Sequence, residues 1–263
     1  MIEQKTISIT YNNQNFQISY FIRPGHSKTL LYLHGLGCSK DDFLSSAETG
    51  LLRSHTLVAF DFPGHGNSSY STKLDMDDLV EITNLFIEKL NLHDIVLIGH
   101  SLGGLVALLF SDRYVEKVKA FINVEGNLKD EDCFFSRQVT EVDFETFVKK
   151  TFRTQKFRLQ LSKNPGFRKC AETFGKYNAQ QAIFDYSPTL VWYSDSRNLI
   201  DRFISLKLPR LFIHGSENRG LTYIPELVLK GLPVHEIPNS NHFPQYDNPS
   251  EFYTIISTFI NNL

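Results

Sequence analysis

Three short stretches of the chain place residues able to do nucleophilic or proton-transfer chemistry at the ends of apolar runs. The first is Leu97-Ile98-Gly99-His100-Ser101-Leu102-Gly103-Gly104, where a serine stands between glycines two positions away on either side. The residues before it read as a buried strand and those after it as a helix. In that setting a serine occupies a turn so sharp that its neighbours at minus two and plus two must be small. The hydroxyl then stands clear of the sheet, and the helix N-terminus aims its amide dipoles at it. Ser101 is the candidate nucleophile.

A serine hydroxyl is a poor nucleophile at neutral pH and needs an adjacent base, most often histidine. The chain has nine histidines, so position has to choose. His34 and His100 lie beside glycine loops that dictate their orientation. His242, in Pro238-Asn239-Ser240-Asn241-His242-Phe243-Pro244, follows the last expected strand and precedes the final helix. It is the candidate base. Acyl transfer further requires two backbone N–H groups aimed at the developing oxyanion. One belongs to the residue after the nucleophile, Leu102. The other belongs to the loop His34-Gly35-Leu36-Gly37, where the Leu36 amide is the best placed.

The elements that must position these residues alternate. The N-terminus, "KTISITYNNQNFQISYFI", reads as an antiparallel hairpin around Asn12-Asn13. Strands are expected at 29–35, 55–61, 94–100, 118–125, 209–215 and 233–239, with helices over 76–92, 102–115 and 249–262. Strand–helix alternation of this kind implies a mostly parallel sheet with helices on both faces. It lapses between 127 and 206, which reads as a helical lobe holding ten of the 22 phenylalanines together with Trp192, Tyr177, Tyr186 and Tyr193. Aromatics at such spacing are most often the lobe's own core, with some of 133–137 and 186–195 facing a pocket.

The totals are those of a globular chain: 263 residues, 41% hydrophobic, formal charge −2. They give no reason to expect a nucleic-acid partner. Three scattered cysteines suit a reducing compartment better than a disulfide framework or a zinc site. Neither a signal peptide nor a membrane-spanning run is visible. The expectation is a cytoplasmic protein with a small-molecule substrate, no cofactor, no metal, no nucleic-acid or membrane partner, and an open oligomeric state. Residues 149–169 hold eight Lys or Arg and no acid. They read as a solvated helix face balanced by 129–132 and other acids, with an anionic substrate or surface partner as the alternative.

Taken together, "HGLG" (34–37), "DFPGHGNS" (61–68), "GHSLGG" (99–104) and "NHFPQYDNP" (241–249), in that order, resemble the α/β-hydrolase superfamily. The resemblance implies Ser101 as nucleophile, His242 as base, and Leu36 and Leu102 as oxyanion hole. It makes 1–126 and 207–263 the core and 127–206 an inserted helical cap. It also implies a structural role for Asp61. The family's usual acid stands three residues after the glycine that ends the penultimate strand. Here that position is Asn218, which carries no charge; Glu217 is one residue earlier. Some branches, the haloalkane dehalogenases among them, place the acid after the strand that follows the nucleophile helix. That position is Glu125, the preferred acid, with Glu217 as the alternative. The reading is a serine hydrolase of an ester-like substrate. The same triad would also serve C–C bond, lactone, thioester or peptide cleavage, or a slow-turnover receptor.

Overall fold

Strands β1 (Glu3–Tyr11) and β2 (Gln14–Arg23) form the expected hairpin, joined by Asn12 and Asn13 at φ 47° and 57°. Two successive left-handed residues give the turn whose twist matches that of the strands, and asparagine is among the few side chains that accept it. The structure is a computed structural model describing residues 1–175, 179–196 and 198–263. Tyr177, one of the lobe's aromatics, lies outside the described residues.

Six further strands follow: β3 (Thr29–Leu33), β4 (Thr56–Phe60), β5 (Ile95–His100), β6 (Val118–Val124), β7 (Arg210–Gly215) and β8 (Val234–Ile237). The sheet order is β1-β2-β4-β3-β5-β6-β7-β8, with β2 antiparallel to β4 and every later neighbour parallel. β3 and β5 are buried along their whole length. Their apolar side chains alternate between two cores. Leu31, Leu33 and Leu97 join one that includes Leu79 and Phe86 of α1 (Met76–Lys89) and Val106 of α2 (Leu102–Arg113). Leu30, Tyr32 and Ile98 join the other, which includes Phe252 and Ile256 of the last helix. A strand covered on both faces can be apolar throughout, which is why these runs read as continuous rather than alternating.

Between β6 and β7 the described residues form helices and turns: α3 (Ser136–Thr140), α4 (Phe144–Thr146), a π-turn over Phe147–Thr151, α5 (Phe152–Leu161), α6 (Pro165–Thr173), α7 (Gln180–Ser196) and α8 (Leu199–Ser205). Phe135, Phe147, Phe152 and Phe174 form a third core with Cys38 and Phe243, which come from loops at the carboxyl ends of the sheet strands. The aromatics thus hold the lobe together and seat it on that rim. After β7 come α9 (Ile224–Leu229), α10 (Pro244–Asp247) and α11 (Pro249–Asn261). Among the described residues no helix is long and apolar enough to cross a membrane.

One expectation from charge is corrected. The acids of 129–132 do not balance the basic run. Asp132 accepts from the amides of Leu128 and Lys129 (2.8 and 2.9 Å) and from the Tyr223 hydroxyl (2.9 Å), and Glu131 accepts from Thr222. Asp132 is taken by neighbouring backbone and by Tyr223, and Glu131 by Thr222, so neither pairs with the basic run.

Candidate active site

Ser101 sits between β5 and α2 at φ 53°, ψ −123°, a conformation that costs a side-chain-bearing residue about 1–3 kcal/mol. Its N–H donates to the Val124 carbonyl (3.1 Å), and its own carbonyl accepts from Gly104 (2.8 Å). The flanking glycines follow from the space available. A Cβ on Gly99 would lie 2.4 Å from the Gly103 carbonyl oxygen, and one on Gly103 would lie 2.2 Å from that of Leu33. A Cβ on Gly104 would stand 2.5 Å from the Cα of Gly126. That last approach brings the turn after β6 against the start of α2.

The turn after β6 carries Glu125, at φ 50° and 4% exposed. Its N–H continues the ladder to Ile213 (3.0 Å) before the chain leaves the sheet, and the Asn123 side chain accepts from the Gly126 amide (2.7 Å). The carboxylate therefore turns along the rim toward β7 and β8. Oε1 accepts from the Gly215 amide (2.7 Å), Oε2 accepts from the Asn218 side-chain amide (3.0 Å), and Oε2 lies 3.5 Å from His242 Nδ1. Glu217 is exposed, and its carboxylate accepts from the Asn241 side chain at 2.7 Å. The structure thus brings Glu125 together with His242, and Glu217 together with Asn241.

His242 is held by its backbone. Its carbonyl accepts from Nε2 of His100 (2.7 Å), and its N–H donates to the side-chain oxygen of Asn241 (2.7 Å). His100 is fully buried, and burial first, then the neighbouring His242, hold its pKa well below the usual histidine value. A neutral ring bonded this way carries its proton on Nε2. Asp247 ties the loop to the lobe: it accepts from the Asn241 amide (2.9 Å), the Gly166 amide (2.6 Å) and the Asn164 side chain (2.9 Å). The rings of Phe134 and Phe243 stand edge-on to His242, at 5.5 and 5.3 Å between centroids.

Leu36 lies in a tight turn after β3 closed by Cys38 N–H to Gly35 carbonyl (3.1 Å), with Gly37 at φ 76°. Positive φ at the third position makes it a type II turn, which asks for glycine there. The Gly37 N–H donates to His65 Nε2 (3.0 Å), so the Leu36 amide takes part in neither bond. His34 supports the same turn: Nε2 accepts from Phe62 (3.0 Å), and Nδ1 donates to Gly35 (2.8 Å). Burial pushes the pKa of both His34 and His65 down to about 3, which keeps each ring neutral as an acceptor. Asp61, buried at the end of β4, accepts from Lys40 Nζ (2.9 Å) and from the amides of Lys40 (2.8 Å) and Asn67 (2.9 Å), joining the two loops.

Ser101, His242, Leu36 and Gly35 line one cavity of about 60 Å³, walled mainly by Phe134, Phe135, Leu159, Phe174 and Phe243. Among the described residues no group of three or more His, Cys, Asp or Glu is placed to hold a metal ion. Cys38 and Cys170 also line the cavity as free thiols. The arrangement unites a strained serine at a helix N-terminus, a histidine backed by a buried carboxylate, and an apolar space beside them. Sequence reasoning missed His65, His100 and Asp247 as supports, and it read Asn218 only as a missing acid. "DFPGHG" and "NHFPQYDNP" were visible as motifs, but the partners of their polar side chains are set across the sheet.

A sequence profile of the alpha/beta hydrolase fold family matches residues 28–249. The chain is 26% identical over 263 aligned positions to the sn-1-specific diacylglycerol lipase ABHD11 of Danio rerio, covering 94% of this chain and 82% of that one. Among solved structures, a carboxylesterase of Nitrososphaera gargenis superposes with a TM-score of 0.80 at 18% identity, covering 97% of this chain and 98% of the other. A thermophilic esterase of Thermogutta terrifontis does so with 0.79 at 18%, covering 99% and 98%. The chain belongs to the alpha/beta hydrolase fold family and is a hydrolase.

Proposed function

We propose that the protein is a serine esterase that hydrolyses small carboxylic esters through an acyl-enzyme intermediate. The observation that carries this reading is the buried Glu125 carboxylate 3.5 Å from His242 Nδ1, with His242 and Ser101 on the wall of one cavity. The Glu125 carboxylate faces His242 Nδ1–H and keeps the proton on that nitrogen, which leaves the Nε2 lone pair of His242 for the Ser101 hydroxyl. As Ser101 Oγ attacks the ester carbonyl, His242 takes its proton. The negative charge gathering on the carbonyl oxygen meets the amides of Leu36 and Leu102, each such donor being worth roughly 100- to 1000-fold in rate. His242 then passes the proton to the departing alkoxide, and water, activated by the same ring, releases the acid and restores Ser101.

Residues 127–206 act as the cap that excludes water from this chemistry. A water needs roughly 10–15 Å³ of such space, so about 60 Å³ holds the equivalent of four to six waters, enough for a short acyl group. Apolar walls recognise such a group by burial alone. The names of related esterases and lipases, and three buried free thiols suited to a reducing cytoplasm, agree with this reading.

The test is hydrolysis of p-nitrophenyl esters of graded acyl length, with mass-spectrometric mapping of a fluorophosphonate adduct. Acetate and butyrate esters should turn over, octanoate should be at least about tenfold slower in kcat/KM, and the adduct should map to Ser101. Turnover that survives in Ser101→Ala would sink the proposal.

A further inference from the structure

We propose that the outward face of α5 docks the protein on an anionic phospholipid surface. This departs from the expectation of no membrane partner, and it rests on two observations in α5 and the turns that flank it. The first is charge without counter-charge. Of the eight basic residues in 149–169, Lys149 pairs with Glu145, Lys169 pairs with Glu172, and Arg168 donates to the carbonyls of Ser162 and Lys163. Among the described residues the other five, Lys150, Arg153, Lys156, Arg158 and Lys163, form no ion pair, and all but Lys156 are exposed.

The second is apolar surface in their midst. α5 turns Leu159 inward, 6% exposed, and with Gln155 it makes part of the cavity wall. Helical spacing puts Phe157 and Leu161, four residues apart, on the opposite side. They are 59% and 67% exposed, with Arg153 and Arg158 beside them. A helix face that mixes exposed large apolar side chains with unpaired cations is what an interface of anionic headgroups and acyl chains accommodates. A nucleic acid's phosphates would satisfy the charges but leave Leu161 without acyl chains to enter, whereas a headgroup layer over acyl chains meets both kinds of side chain over one continuous surface. Docked this way, the protein holds the other side of α5, and so the cavity, next to the lipid.

The test is co-sedimentation of the full chain with vesicles of phosphatidylcholine alone and of phosphatidylcholine with phosphatidylglycerol, at low and high salt. The expected result is binding to the anionic vesicles at low salt, weakened by salt, and little binding to the neutral ones. Arg153→Ala/Arg158→Ala should weaken binding by about 25-fold, at about fivefold per basic residue. Phe157→Ser/Leu161→Ser should weaken it several-fold. Both doubles should keep the wild-type melting curve, since the four side chains are exposed, and this readout does not depend on the esterase reading. Equal binding to neutral vesicles, unchanged binding by either double, or retention on heparin with no vesicle binding would each overturn the proposal.

Discussion

The Glu125 side chain accepts from a fixed donor, the Gly215 amide, through one oxygen, and faces His242 with the other. That asymmetry predicts what an amide would do. In Glu125→Gln the remaining oxygen stays on Gly215, and the new NH2 group faces His242 Nδ1, forcing the proton to the wrong ring nitrogen. The expected outcome is a fall of roughly 10³–10⁴ in kcat with KM changed little, measured by steady-state kinetics on a short ester. Glu217→Gln, which touches only Asn241, should stay within about twofold. The opposite pattern would move the acid to Glu217. From the residues alone neither glutamate could be preferred. A carboxylate at the end of a buried strand is equally a turn residue, and the choice came from the resemblance and the vacancy at Asn218. The structure finds a use for that vacancy: the Asn218 amide donates to Glu125, which a carboxylate in its place could not do.

At the scale of elements, the turn between β5 and α2 that carries Ser101 depends on α2 pressing against β3. A Cβ on Gly103 meets the Leu33 backbone oxygen at 2.2 Å, and backbone on a buried strand cannot step aside. Gly103→Ala should therefore destabilise the fold by roughly 2–3 kcal/mol or more, read as a lower urea midpoint, and reduce activity by displacing Ser101. A wild-type midpoint would show that α2 can shift without cost. The central strands were legible because their burial on both faces leaves unbroken apolar runs. The final helix was legible from its 3.6-residue period. The lobe was legible as a helical stretch but its individual helices were not, since several are short, one passes through a π-turn, and its core is assembled from aromatics contributed a few at a time by several elements.

At the scale of the whole molecule, buried titratable groups oppose one another in pH. His34 and His65, held near pKa 3 by burial, stay neutral in the native state while the unfolded chain protonates them below about pH 6.5. The unfolded state then binds more protons, so stability falls as pH drops through that range. Asp42 acts in the other sense. Burial raises it from 3.8 to about 7, and only one oxygen has a partner, the Tyr246 hydroxyl at 2.7 Å. Between those values the native state keeps a proton that the unfolded chain releases, so this contribution is lost as pH rises. Asp42→Asn should raise Tm at pH 8 and lose that advantage as pH falls below about 7, by thermal melts across pH. An advantage independent of pH would mean that Asp42 is not the titrating group.

By itself the sequence determined the hairpin, the buried strands, the serine at a strand-to-helix turn, the glycine loop after β3 and the histidine loop before the last helix. Each is set by local chemistry: side-chain period, backbone dihedrals, and the absence of room for a Cβ. Tertiary structure alone decided which carboxylate reaches His242, that His65 and His100 are neutral supports, and that Asp247 couples the histidine loop to the lobe. It also decided that the basic face of α5 goes uncompensated. These depend on which loops a parallel sheet gathers at one rim, and residues 90 or more positions apart meet only once that sheet has formed.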